Sequence, residues 1–335
     1  MDLSTRYLGL TLRNPVIASA SPLSGDLSGI RRLEDCGAGA IVLPSLFEEQ
    51  LRQEQELAEA LSSVGADSSP EASSYFPAAS DYQSGAAVYL DLIAKARAAV
   101  DIPIIASLNG STESGWIDYA SQIEQAGASA LELNIYRIAS GPEVKVGEPE
   151  ADCVALVKAV RARVGLPLAV KLQPTFATFG ALAQSLDAVG ADGLVLFNRL
   201  YQPDIDLARL RWSNEIALSG AIEIRLGLLW TSLLGGRLPR ASLAAGTGVE
   251  TADEVLKYLL AGADAVMTAT ALLRHGPEHL RTLVAGVETW LAQRGFASVS
   301  AIKGLMKHSR SDAEAQERGD YIHSLLGYRG RYVRR

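Results

Sequence analysis

Cysteine is scarce: Cys36 and Cys153 are the only two in 335 residues, far apart and each in an apolar helical context. Such a pair builds neither a disulfide framework nor a cysteine-ligated metal or iron–sulfur centre, and a reducing, cytoplasmic setting is expected. Histidine is scarce too. The four present (His275, His279, His308, His323) lie in the C-terminal part, and surface or helix-end roles are expected for them. An excess of positive charge is also missing: 31 Lys and Arg against 38 Asp and Glu leave a net charge of −7. A nucleic-acid surface is therefore not expected. The late cluster Arg329, Arg331, Arg334 and Arg335 reads as a solvated tail. No uncharged apolar run approaches the roughly 18 residues of a membrane span. The opening MDLSTRYLGLTLRNP lacks the basic-then-apolar order of a secretory signal.

What is present is a repeat. With 48% apolar residues, the chain can bury a large core. Short apolar runs alternate with longer amphipathic ones: PVIASA (15–20), AIVLP (40–44), PIIASL (103–108), ALELN (130–134), PLAVKL (167–172), GLVLF (193–197), ASLAAG (241–246) and DAVMTA (264–269). Runs of this kind suit parallel strands buried on both faces. The second, fourth, sixth and eighth are entered through Gly37-Ala38, Gly127-Ala128, Gly190-Ala191 and Gly262-Ala263. The first, third, fifth and seventh follow Pro15, Pro103, Pro167 and Pro239. Glycine ends a helix in a left-handed conformation, and proline stops one and tolerates the exposed start of a strand. Segments 151–164 and 251–261 supply helical spacing between them.

Eight β-then-α units predict a (β/α)₈ TIM barrel over 1–335 as one domain, with an N-terminal hairpin and insertions at about 45–100 and 199–240. A doubly wound open sheet is the alternative. In a barrel, chemistry collects at the C-terminal strand ends. Reading those positions gives Ser19 to Ser21, Pro44-Ser45, Asn109, Asn134, Lys171, Asn198, Gly246-Thr247-Gly248 and Ala269-Thr270. Glycines 246 and 248, with the helix opening at Thr251, form a turn suited to a phosphate dianion. Lys171 is a cation in an apolar strand and is expected to meet an anion or several acceptors. It can snorkel to a rim carboxylate, sit beside a cofactor that becomes anionic, or serve as a Schiff-base amine.

These residues resemble the dihydroorotate dehydrogenase family of FMN barrels, closest to its dihydroorotate dehydrogenase-like proteins. The likeness runs through LGLTLRNPVIASASPLSG (8–25), LELN (131–134), VKLQP (170–174), NRLYQPDID (198–206), AAGTGVET (244–251) and LLAGADAVMTATALLRHGP (259–277). It implies an FMN-dependent oxidoreductase of pyrimidine-biosynthesis type, acting on a CH–CH bond of a small-molecule substrate. It further implies that Ala20, Ser21, Ser45, Asn109, Asn134 and Asn198 contact flavin or substrate, and that Lys171 meets the N1–C2 edge of the flavin. Gly246, Thr247, Gly248, Ala269 and Thr270 would hold the phosphate. A homodimer and an electron-acceptor partner protein are expected. Replacing Lys171 is expected to impair flavin reduction more than folding.

Three substrate features of the family are absent. Its N-L-S-C-P-N loop, with Cys or Ser as base, reads here Asn134-Ile135-Tyr136-Arg137-Ile138-Ala139. A lysine after the second strand is replaced by Pro44, and the M-G-L-P-N segment has no counterpart between Tyr75 and Gly85. Arginine cannot act as a base near neutral pH. Tyr136 could accept the proton, or Tyr75 or Tyr82 from the insertion. Alternatively the substrate is changed, with Arg137 receiving a carboxylate or another anion. Two further readings stand beside these: a phosphate-binding lyase using Lys171, and a non-catalytic flavin-binding partner subunit.

Overall fold

The computed structural model describes residues 1–53, 56, 85–110, 112–213, 215–308 and 313–332. Tyr75, Tyr82 and most of the 45–100 insertion lie outside them.

Two short strands, β1 (Thr5–Tyr7) and β2 (Leu10–Leu12), pair as an antiparallel hairpin. Then come the eight strands of a closed parallel barrel. They are β3 (Val16–Ala18), β4 (Ala40–Phe47), β5 (Ile104–Asn109), β6 (Ala130–Asn134), β7 (Leu168–Leu172), β8 (Gly193–Leu196), β11 (Ser242–Ala245) and β12 (Ala265–Thr268). All eight apolar runs form the expected strands, and closure removes the doubly wound alternative. Between β8 and β11, the insertion folds β9 (Asp204–Asp206) against β10 (Arg211–Ser213) before a helix at Ile224–Leu234.

The alternating entries have a physical cause at the base of the barrel. Gly37, Gly127, Gly190 and Gly262 adopt φ of +102°, +87°, +103° and +119°, a region glycine enters without strain. The residue after each Gly-Ala pair then joins the preceding strand. The amides of Gly39, Ser129, Asp192 and Asp264 donate to Val16, Ile104, Leu168 and Leu243. In the last three, the side chain accepts the amide of that same strand residue. The carbonyls of Pro15, Pro103 and Pro167 accept bonds from Val266, Ile41 and Leu131, a role that needs no N–H.

Alternation along the strands divides the core in two. Ile17, Val42, Ile105, Ala130, Ala169, Val195, Ala244 and Met267 fill the barrel interior, and Tyr7, Leu8 and Leu12 of the hairpin pack with them. The other face packs against the helices, among them Glu148–Arg161 and Ala252–Ala261. Cys36 and Cys153 are buried free thiols. Burial raises the Cys36 thiol and pushes that of Cys153 up to about 12. Both are expected to resist a disulfide-exchange reagent in the native protein and to react only on unfolding, as a timed thiol assay would show. Trp230 packs against Phe179. Trp212 is 64% exposed on the β9–β10 pair, since a two-stranded pair has no core face of its own.

Candidate functional site

The barrel mouth is built by residues two apart. From Asn134, the inward positions of β6 run back to Glu132 and Ala130, and in β5 they are Asn109, Ser107 and Ile105. In β7 they are Lys171 and Ala169. Pro44 cannot donate to a ladder, and the β4–β5 register shifts between Val42 and Ser45. The bulge sets Ser45 opposite Ser107, with their hydroxyls 2.8 Å apart.

A polar chain therefore crosses the barrel beneath the mouth. Lys171 Nζ lies 3.4 Å from Glu132 Oε1, and the Ser107 hydroxyl donates to the same oxygen at 3.4 Å. Ser107 meets Ser45, and Asn134 donates to Ser45 Oγ at 3.2 Å. Asn198 in turn donates to Asn134 Oδ1 at 2.6 Å. Glu132 is fully buried, and its Oε2 has no hydrogen-bond partner among the described residues. The Tyr7 hydroxyl is equally without one. Burial, reinforced by Glu132 and then Asp264, holds Tyr7 far above its ordinary range, so it stays protonated. Sequence reasoning missed Glu132. The signal was available, because two-residue alternation from Asn134 turns Glu132 inward beside Lys171. Removing Lys171 thus strands a buried carboxylate, so a cost to folding is expected beside the cost to flavin reduction.

Above this chain lies a cavity of about 170 Å³. Ser19, Ala20, Lys171, Asn198, Gly246, Thr247, Gly248, Ala269 and Thr270 line it, joined by Phe197, Arg199 and Ser219, which the sequence did not single out. Thr247 and Gly248 both take positive φ, +70° and +72°. The Tyr258 hydroxyl lies within donating distance of the carbonyls of Gly246, at 2.7 Å, and Thr247, at 3.1 Å. The helix N-terminus expected to share this seat does not reach it: the wall ends at Val249. Thr251 caps that helix, and Glu254 accepts the Thr251 amide at 2.9 Å, so its first turn satisfies itself.

A second cavity of about 350 Å³ shares Asn198 and Arg199 with the first and is also lined by Asn109, Asn134 and Tyr136. The Tyr136 hydroxyl accepts the Tyr201 amide at 3.2 Å. Arg137 lines a different cavity, where its guanidinium pairs with Asp152 at 2.6 Å. Ser21 lines none of these cavities; it is buried at the start of the turn Pro22–Ser24. Among the described residues, no His, Cys, Asp and Glu cluster could hold a metal ion, and no helix is long and apolar enough to cross a membrane.

A closed parallel barrel with a glycine turn, a buried lysine and a row of amides at its C-terminal face defines a small-molecule site of the TIM-barrel kind. The sequence comparison narrows that class: a profile of dihydroorotate dehydrogenase matches residues 81–291, and the chain belongs to the dihydroorotate dehydrogenase family. One relative, from Aeropyrum pernix, is named a putative dihydroorotate dehydrogenase A (fumarate). It is 28% identical over 90% of this chain and 97% of its own length. Another, from Trichlorobacter lovleyi, is named the catalytic subunit of dihydroorotate dehydrogenase B (NAD(+)). It is 33% identical over 62% of this chain and 69% of its own. A third, from Methanothermobacter thermautotrophicus, has that same name and is 26% identical over 90% of this chain and 98% of its own length.

Proposed function

We propose that the protein is an FMN-dependent oxidoreductase that passes a hydride between the flavin and a CH–CH bond of a small planar substrate. One observation carries the reading: Lys171, Ala20 and the turns at 246–248 and 269–270 line one cavity. The donor set fits the cofactor. Backbone amides of a left-handed turn suit a phosphate, and the ammonium of Lys171 suits the edge of the ring that gains negative charge on reduction. When bound, FMN supplies the hydride chemistry at N5. The chain's own residues do the rest. Lys171 provides the positive charge, Asn134 and Asn198 orient the substrate amides, and Tyr136, which lines the adjoining cavity, is the proposed proton acceptor. With FMN held by Lys171 and the turns at 246–248 and 269–270, the reduced substrate would give a hydride to the cofactor, Tyr136 as its phenolate would take the proton, and an electron-acceptor protein would reoxidise the cofactor.

The purified protein is expected to be yellow and to release FMN stoichiometrically on denaturation, read by absorbance and fluorescence. Colourless protein that takes up no FMN on reconstitution would refute the reading.

A further inference from the structure

We infer that this site takes an uncharged planar ring with an amide-type edge, and that it discriminates against a carboxylate-bearing substrate. The inference rests on the flavin reading above and names the substrate class of that same site. The second cavity combines apolar walls (Phe47, Tyr201, Ile216) with the amides of Asn109, Asn134 and Asn198. A carboxamide offers donor and acceptor together, which matches a neutral lactam or imide edge and leaves a full negative charge without a counter-ion.

Each nearby cation among the described residues already has an anionic partner. Among the described residues lining this cavity, Arg199 is the one cation. Its Nε donates to Glu223 Oε1 at 2.8 Å, and its terminal nitrogen donates to the Ala217 carbonyl. Glu223 is itself fixed, since its Oε2 accepts the Gly220 amide at 2.7 Å. Arg137 is held by Asp152 in the other cavity, and Lys171 by Glu132 below. Residues 53–84 contain six carboxylates and no Lys, Arg or His. A substrate carboxylate would have to compete with Glu223 or enter unpaired, and an unpaired buried charge is strongly disfavoured.

The test uses the FMN-loaded protein and two rings that differ only in the carboxylate, uracil and orotate, titrated by calorimetry and by flavin difference absorbance. Uracil is expected to bind at least about tenfold more tightly than orotate. Glu223→Gln, which leaves Arg199 without its anion, is expected to strengthen orotate binding by about tenfold and to leave uracil nearly unchanged. Tighter binding of orotate by the unaltered protein, or binding of neither ring, overturns the inference. Protein that takes up no FMN fails before either ring is added, so failure of the flavin reading is seen separately.

Discussion

Lys171→Met is expected to lower the unfolding free energy by about 3–5 kcal/mol, the usual cost of breaking a buried ion pair from one side. The reason is Glu132: its side chain is 0% exposed and that of Lys171 12%, with 3.4 Å between them. Without the ammonium, Oε1 keeps only the bond from Ser107, and Oε2 has no partner to begin with. The carboxylate must then stay charged in the barrel core or take up a proton. Lys171→Met together with Glu132→Gln removes both charges and is expected to recover most of the loss. Urea denaturation of the two single variants and the double variant measures this as a coupling energy. Strictly additive costs would sink the idea. The double variant also separates stability from chemistry. It should fold, yet its bound flavin should be harder to reduce, read as a lower midpoint potential, because the positive charge that Lys171 would supply to the reduced ring is gone.

The second large effect concerns the turn at 246–248. Gly248→Ala is expected to weaken FMN retention at least about a hundredfold, or about 2.7 kcal/mol. Gly248 has φ of +72°, and an added Cβ would lie 2.8 Å from Ile224 N and 2.9 Å from Gly220 O. Both are backbone atoms that cannot swing aside, so the turn or the helix start at Ile224 must shift. Gly246→Ala is the control. Its φ is not positive, and its Cβ would meet Met267 at 3.6 Å, an ordinary contact. Equilibrium dialysis of FMN against both variants should therefore separate them. Equal retention would show that the turn does not hold the phosphate.

The barrel was legible because its signals are local. A Gly-Ala or Pro entry acts within three or four residues, and eight apolar runs of strand length lie at intervals only a β/α repeat explains. The cavity-lining glycines were legible because they follow a strand end. Residues whose role depends on a neighbouring strand were less so. Glu132 looked like one polar residue in an apolar run, and Lys171 alone could have met a cofactor, a carboxylate or a substrate. Phe197, Arg199 and Ser219 stand in segments without a periodic signal. Arg137 illustrates the limit: its place in the loop after β6 was readable, but its pairing with Asp152, fifteen residues away, was not.

The sequence by itself determined eight strands, their order and the side of the barrel where polar residues gather. Those properties follow from turn chemistry and from two-residue alternation, both encoded in contiguous residues. Only the tertiary structure decided which charges are spent. Closure sets Lys171 against Glu132 across two strands and Arg199 against Glu223 across the second insertion. A cation's availability depends on what lies within about 4 Å of it in space, and no local pattern records that distance.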